Sequence, residues 1–132
     1  MLTIENNEYV LFEKDGRVIG RGPMTSCRAA IGQDLAWSEK KDADECVLMP
    51  GFITPQGDIL IEKYINEKGM RPDRYCELLF TMEKRLSGLT ASKNVLIGFE
   101  KAMLEKVTRW ILKQEMRKRN HWLICRDQSW ES

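Results

Sequence analysis

TPQGDILIEKYINEKGMRPDRYCELLFTMEKRLSGLTASKNVLIGFEKAMLEKV, running from Thr54 to Val107, is the stretch on which the fold turns. Thr54 is placed to accept from the exposed N–H groups of a helix start, and Pro55 loses no hydrogen bond at a first helical position. Leu60, Ile61, Tyr64 and Ile65 then recur at three- and four-residue spacing, with Glu62, Lys63, Asn66 and Glu67 on the other face. Gly69 suits the left-handed position past a last turn. Pro72 and Asp73 open a second helix with Tyr75, Cys76, Leu78 and Leu79 as its apolar positions, and Thr81 caps a third, Met82 to Thr90, with Leu86 and Leu89 inward.

Two helices joined by a short turn, the second presenting Glu83, Lys84, Arg85, Ser87 and Gly88 outward, fit a helix-turn-helix. In that motif the second helix enters the major groove, where arginine or lysine reaches guanine while phosphate contacts fix the register. On periodicity alone, a small helical bundle whose Lys84 and Arg85 are merely solvated is an equal alternative.

The stretch resembles the lambda-repressor-like (XRE) helix-turn-helix family, and within it the HigA-type antitoxins. Pro55, Gln56, Gly57, Asp58, Ile59 and Leu60 stand for that family's Pro-Gly-Glu-Ile-Leu-like opening, and Gly69, Met70 and Arg71 for its Gly-Leu-Ser turn. Cys76, Glu77 and Leu79 match its Ala, Glu and Leu; Leu86, Ser87 and Leu89 match the spacing of its recognition helix. Lys93, Leu96, Ala102 and Leu104 to Val107 keep step with its last helix. The departures are Phe80 for the glycine of the turn, Met82 for the serine or threonine that starts the recognition helix, Ser92 for the glycine after it, and Gly88 inside it. The resemblance implies a homodimeric, sequence-specific repressor that binds double-stranded DNA, the antitoxin of a toxin–antitoxin pair. Lys84, Arg85 and Ser87 would read bases; Arg71, Arg74, Lys93 and Asn94 would hold phosphates.

The chain's composition is ordinary for a globular protein and is not that of a disordered chain. Its 132 residues, 42% hydrophobic and 31% charged, suit one compact domain with an appendage. The net charge of +1 hides an asymmetry: fourteen Lys and Arg against nine Asp and Glu lie between Thr54 and Arg119, and both flanks are acidic on balance. No run is apolar enough to cross a bilayer and MLTIENNEYV is not a secretory signal, so a cytoplasmic location is expected, with no membrane partner. Cys27, Cys46, Cys76 and Cys125 are dispersed and His121 is the single histidine, which predicts free thiols, no metal and no cofactor. Gly20 and Gly22 lack the pattern of a phosphate loop, and no acid, base and nucleophile assemble.

Outside the central stretch, Glu8 to Lys14 and Arg17 to Gly22 read as a hairpin around Asp15-Gly16. Ser26 caps a short helix bearing Cys27, Ala30, Ile31, Leu35 and Trp37, and the charged run Ser38 to Glu45 marks a boundary. Cys46 to Phe52 reads as a short extended lead into the first helix, with Pro50-Gly51 as a turn. Gly98 to about Lys118 reads as one long helix with Trp110 in its core or dimer contact, and His121 to Trp130 as a final strand beside the N-terminal hairpin. The expected fold is therefore mainly α with a small β element: a hairpin and short helix over residues 1–45, a helix-turn-helix domain over 46–119 and a tail over 120–132. The alternative function is a protein-interaction module, gripping a partner such as a toxin, whose degenerate helix pair does not bind DNA.

Overall fold

A computed structural model describes residues 1–35, 45–90, 94–99 and 108–127 of the chain. Among them are nine strands and two α-helices, so the expectation of a mainly α, helix-turn-helix fold is overturned: the protein is a mixed α/β structure.

The N-terminal sheet is an antiparallel meander of β1 (Leu2–Glu5), β2 (Glu8–Phe12) and β3 (Val18–Pro23). Glu5 pairs with Glu8 across Asn6 and Asn7, both at positive φ, the backbone that a two-residue hairpin turn of the right twist demands. Leu2, Ile4, Tyr9 and Leu11 share one face, which packs on the main core. A single 3-10 turn, Met24–Ser26, follows where a short helix was expected, and Arg28 onward is extended. In β4 (Arg28–Asp34) Ala29, Ile31 and Gln33 alternate inward, a two-residue period.

The second sheet has the order β6-β5-β4-β8-β9, with β7 also on β5. β5 (Glu45–Ile53) is its longest strand, antiparallel to β4 through seven register pairs. β6 (Ile59–Ile61) and β7 (Ile65–Lys68) lie end to end along the outer side of β5. β8 (Leu96–Phe99) and β9 (Ile124–Asp127) extend the other side in parallel, which requires crossover connections rather than hairpins. The strand expected near the C-terminus thus joins β8 and not the N-terminal hairpin. The main sheet draws strands from all three of the expected segments; Ser38 to Asp44, most of the expected boundary, lie outside the described residues.

Thr54 and Pro55 start no helix. The Thr54 hydroxyl does accept a backbone N–H, from Asp58 at 3.0 Å, but it closes the β5–β6 turn, in which Gly57 takes φ +90°. Nor is there a turn between the second and third expected helices. Pro72–Leu89 is one uninterrupted 18-residue helix, α1, with Tyr75, Cys76, Leu79, Phe80, Met82, Glu83 and Leu86 buried along it. Phe80, where the resemblance wants a turn glycine, is fully buried mid-helix. Residues 96–99 are strand, so Gly98 and Phe99 do not begin the long helix expected from Gly98; residues 100–107 of that expectation lie outside the described residues, and a π-helical turn, Thr108–Leu112, leads into α2 (Lys113–Arg119). α2 ends on Asn120 in the left-handed region, whose neighbour His121 donates its N–H to Met116. No helix among the described residues is long and apolar enough to cross a membrane.

One buried polar chain fastens helix to sheet. The Tyr75 hydroxyl donates to Gln33 Oε1 at 2.5 Å, and Gln33 Nε2 donates to the Gly98 carbonyl at 2.8 Å, so α1, β4 and β8 are joined inside the core. Burial pushes the Tyr75 phenol well above its ordinary range, keeping it a donor. Tyr75→Phe is expected to cost about 1 kcal/mol in urea unfolding, the net value of one such bond. Gly88 is exposed near the end of α1, and a Cβ added there would meet nothing within 4 Å, so no packing contact requires a glycine. Gly88→Ala should raise stability by about 0.5–1 kcal/mol in the same assay.

Candidate ligand groove beside the long helix

β5 carries a proline in a strand with neighbours on both sides, where a missing N–H is tolerated at a bulge. Pro50 is at such a place. The pairs Gly51↔Ile61 and Leu48↔Ile65 leave Met49 and Pro50 facing three residues, Glu62, Lys63 and Tyr64. The Glu62 N–H donates to the Pro50 carbonyl at 3.0 Å, so the side of Pro50 that lacks a donor is the side that bulges. The extra residue divides the outer strand into β6 and β7 and turns Glu62 and Lys63 toward α1.

Between this bulge and α1 lies a groove of about 310 Å³. Pro50, Ile65, Leu78 and Met82 supply its apolar lining, and Glu62, Lys63, Thr81 and Arg85 its polar groups. Leu78, Thr81, Met82 and Arg85 follow the i, i+3, i+4, i+7 spacing of one helix stripe. Arg85 reaches across with both terminal nitrogens, 2.8 Å and 2.5 Å from the two Glu62 oxygens. These hydrogen bonds hold the Arg85 proton more firmly than usual. Glu62 is only 16% exposed and Arg85 49%, so the pair braces helix against bulge more than it stabilises the fold.

The residues expected to bind DNA are dispersed. Lys84 is exposed on α1 and Ser87 half-buried, while Arg85 is committed to Glu62. Arg74 is paired with Glu67 at 2.9 Å and Arg71 lies 3.6 Å from Asp73, both on the surface. Asn94 is exposed ahead of β8, and Lys93 lies outside the described residues. With α1 unbroken, Lys84, Arg85 and Ser87 do not sit on a separate recognition helix. Sequence reasoning singled out Arg85 but placed Glu62, twenty-three positions away, on the outer face of a helix, and read Pro50-Gly51 as a turn, whereas Pro50 and Gly51 both lie inside β5.

A second polar cluster joins α1 to α2. Arg119 bridges Glu77 and Glu115 at 2.9 and 3.0 Å with its guanidinium 4.7 Å from the Phe80 ring centre, and His121 Nε2 is 2.6 Å from Glu83 Oε2. Glu83, almost fully buried, thus has the imidazole as a partner. No group of three metal-ligating side chains occurs among the described residues.

No family model, curated protein or solved structure matches the chain.

The four cysteines are free thiols. Burial raises Cys76 and Cys125 to about 11 each, so both stay protonated near neutrality and react poorly. An unfolded thiol ionises near 9, and the folded protein keeps these protons to higher pH. Stability carried by the two neutral thiols is therefore complete below about pH 9 and is lost as pH rises toward 11. Urea midpoints measured from about pH 8 to 11 should fall across that window, and folded protein at about pH 8 should resist iodoacetamide at both positions.

Proposed function

We propose that the protein is a cytoplasmic interaction module that grips an extended segment of a protein partner in the groove between α1 and the β6–β7 edge. The bulge groove carries this reading: a cavity of ligand-accommodating size, apolar at its floor, with a few fixed polar groups. It adjoins a sheet edge, since β6 and β7 pair with β5 alone among the described strands. An extended segment added there gains main-chain hydrogen bonds, and its alternate side chains fall on opposite faces. One set would enter the groove over Leu78 and Met82. The other set would meet Ile59 and Ile61, which are 70% and 57% exposed, an uncommon state for two isoleucines on one short strand. The braced Glu62–Arg85 pair fixes the width between sheet and helix in advance, which lowers the ordering cost of binding.

The expectation of a duplex-reading repressor or antitoxin has lost the helix pair on which it stood, and it shares the same test. Peptides selected from a random library on immobilised protein are expected to bind with Kd sensitive to Thr81→Arg, which fills the groove from an exposed helix position. Loss of one buried apolar anchor corresponds to a weakening of about tenfold or more. Lys14→Ala, beside the N-terminal sheet, should change nothing. Selected peptides indifferent to Thr81→Arg, or no selection at all, would overturn the groove reading. Salt-steep preference for one DNA duplex over a scrambled one would return the repressor reading to first place.

A further inference from the structure

Trp110 sits in the π-helical turn that leads into α2 and is 67% exposed, where the sequence suggested core or a dimer contact. Large aromatic side chains are highly buried on average, so this degree of exposure in an ordered helical segment asks for a reason. Its neighbours along the outward face of the helix are Lys113, Gln114 and Arg117, at i+3, i+4 and i+7, with Lys118 beside them, all exposed. The acid of α2, Glu115, is turned away and bound by Arg119, and the inward residues Leu112 and Met116 are buried. Among the described residues, the outward face therefore presents one indole and three cations with no carboxylate of α2 beside them. A wider π turn is a device often found where a side chain is aimed for function.

We infer that this face binds single-stranded nucleic acid, the indole stacking on a base while Lys113, Arg117 and Lys118 contact the phosphates. Stacking needs only the π-face that every base has, and the cations need only the repeating phosphate, so the site is expected to tolerate sequence and to accept RNA and DNA alike. Trp110 to Arg117 spans about 10 Å along a helix at about 1.5 Å per residue, the scale of adjacent nucleotides. An anionic membrane fits less well: the apolar side of α2, Leu112 and Met116, is spent on the core, which leaves little apolar area to insert. The inference is independent of the groove, which lies on the sheet side of α1.

The test is fluorescence anisotropy of the full chain with labelled dT12, rU12 and a 12-base-pair duplex at low and physiological salt, and co-sedimentation with phosphatidylserine vesicles. Both single strands are expected to bind, with affinity falling steeply as salt rises. Trp110→Ala should weaken them by about tenfold, the scale of one stacked base, and Trp110→Phe should restore most of the loss. Lys113→Ala with Arg117→Ala should flatten the salt slope. Gln56→Ala, an uncharged change in the β5–β6 turn, should leave both affinities unchanged. No single-strand binding at low salt, binding indifferent to Trp110→Ala, a stronger response to the duplex, or vesicle binding that replaces oligonucleotide binding would each overturn the proposal. Circular dichroism of each variant separates a lost site from a lost fold.

Discussion

Pro50 has no N–H to give, and the strand that carries it has neighbours on both sides. On the β4 side the ladder is unaffected, because Pro50 directs its polar groups outward. On the outer side a continuous partner strand would leave its own acceptor without a donor, and a bulge is the relief. From that one missing hydrogen follow the split into β6 and β7, the shift of register by one residue and the inward turn of Glu62. The groove exists because the edge cannot run straight.

α1 answers this arrangement by dividing itself among three neighbours. Tyr75, Leu79 and Leu86 go down onto the sheet, Leu78, Met82 and Arg85 line the groove, and Glu77, Phe80 and Glu83 meet the segment around α2. All three sets cross the region of Phe80 and Thr81. A turn inserted there would misalign each of them, which is the packing reason why the chain runs as one helix where a helix pair was expected.

The same bulge explains what the sequence concealed. Leu60 and Ile65 both face the helix side of the sheet, five residues apart, because one extra residue interrupts a two-residue alternation. With Ile61 and Tyr64 between them, the pattern imitates helical spacing, and Thr54-Pro55 supplied a matching start signal whose hydroxyl in fact closes a hairpin. In β4 the small residues Ala30 and Gly32 blurred the alternation of Ala29, Ile31 and Gln33. Local turn chemistry was legible: Asp15-Gly16 lies between β2 and β3, Cys46 to Phe52 is extended, and Pro72 opens a helix. The groove was not, because its defining contact joins Arg85 to Glu62 across an intervening strand and turn. Phe80, noted as a departure from the helix-turn-helix pattern, carried more information than the positions that agreed.

The buried link from Gln33 to the Gly98 carbonyl spans 65 positions of sequence. The meander β1–β2–β3 and the hairpin of β5 with β6 are built from near neighbours and can form within microseconds. The parallel seam between β4 and β8 joins distant parts of the chain, and loop-closure entropy opposes it until it is made. Until then, β4 has one bare edge and the Gln33 amide waits for its carbonyl. By its sequence separation this seam is expected to close late, so that a nascent chain carries an open β4 edge until β8 has been synthesised and docked.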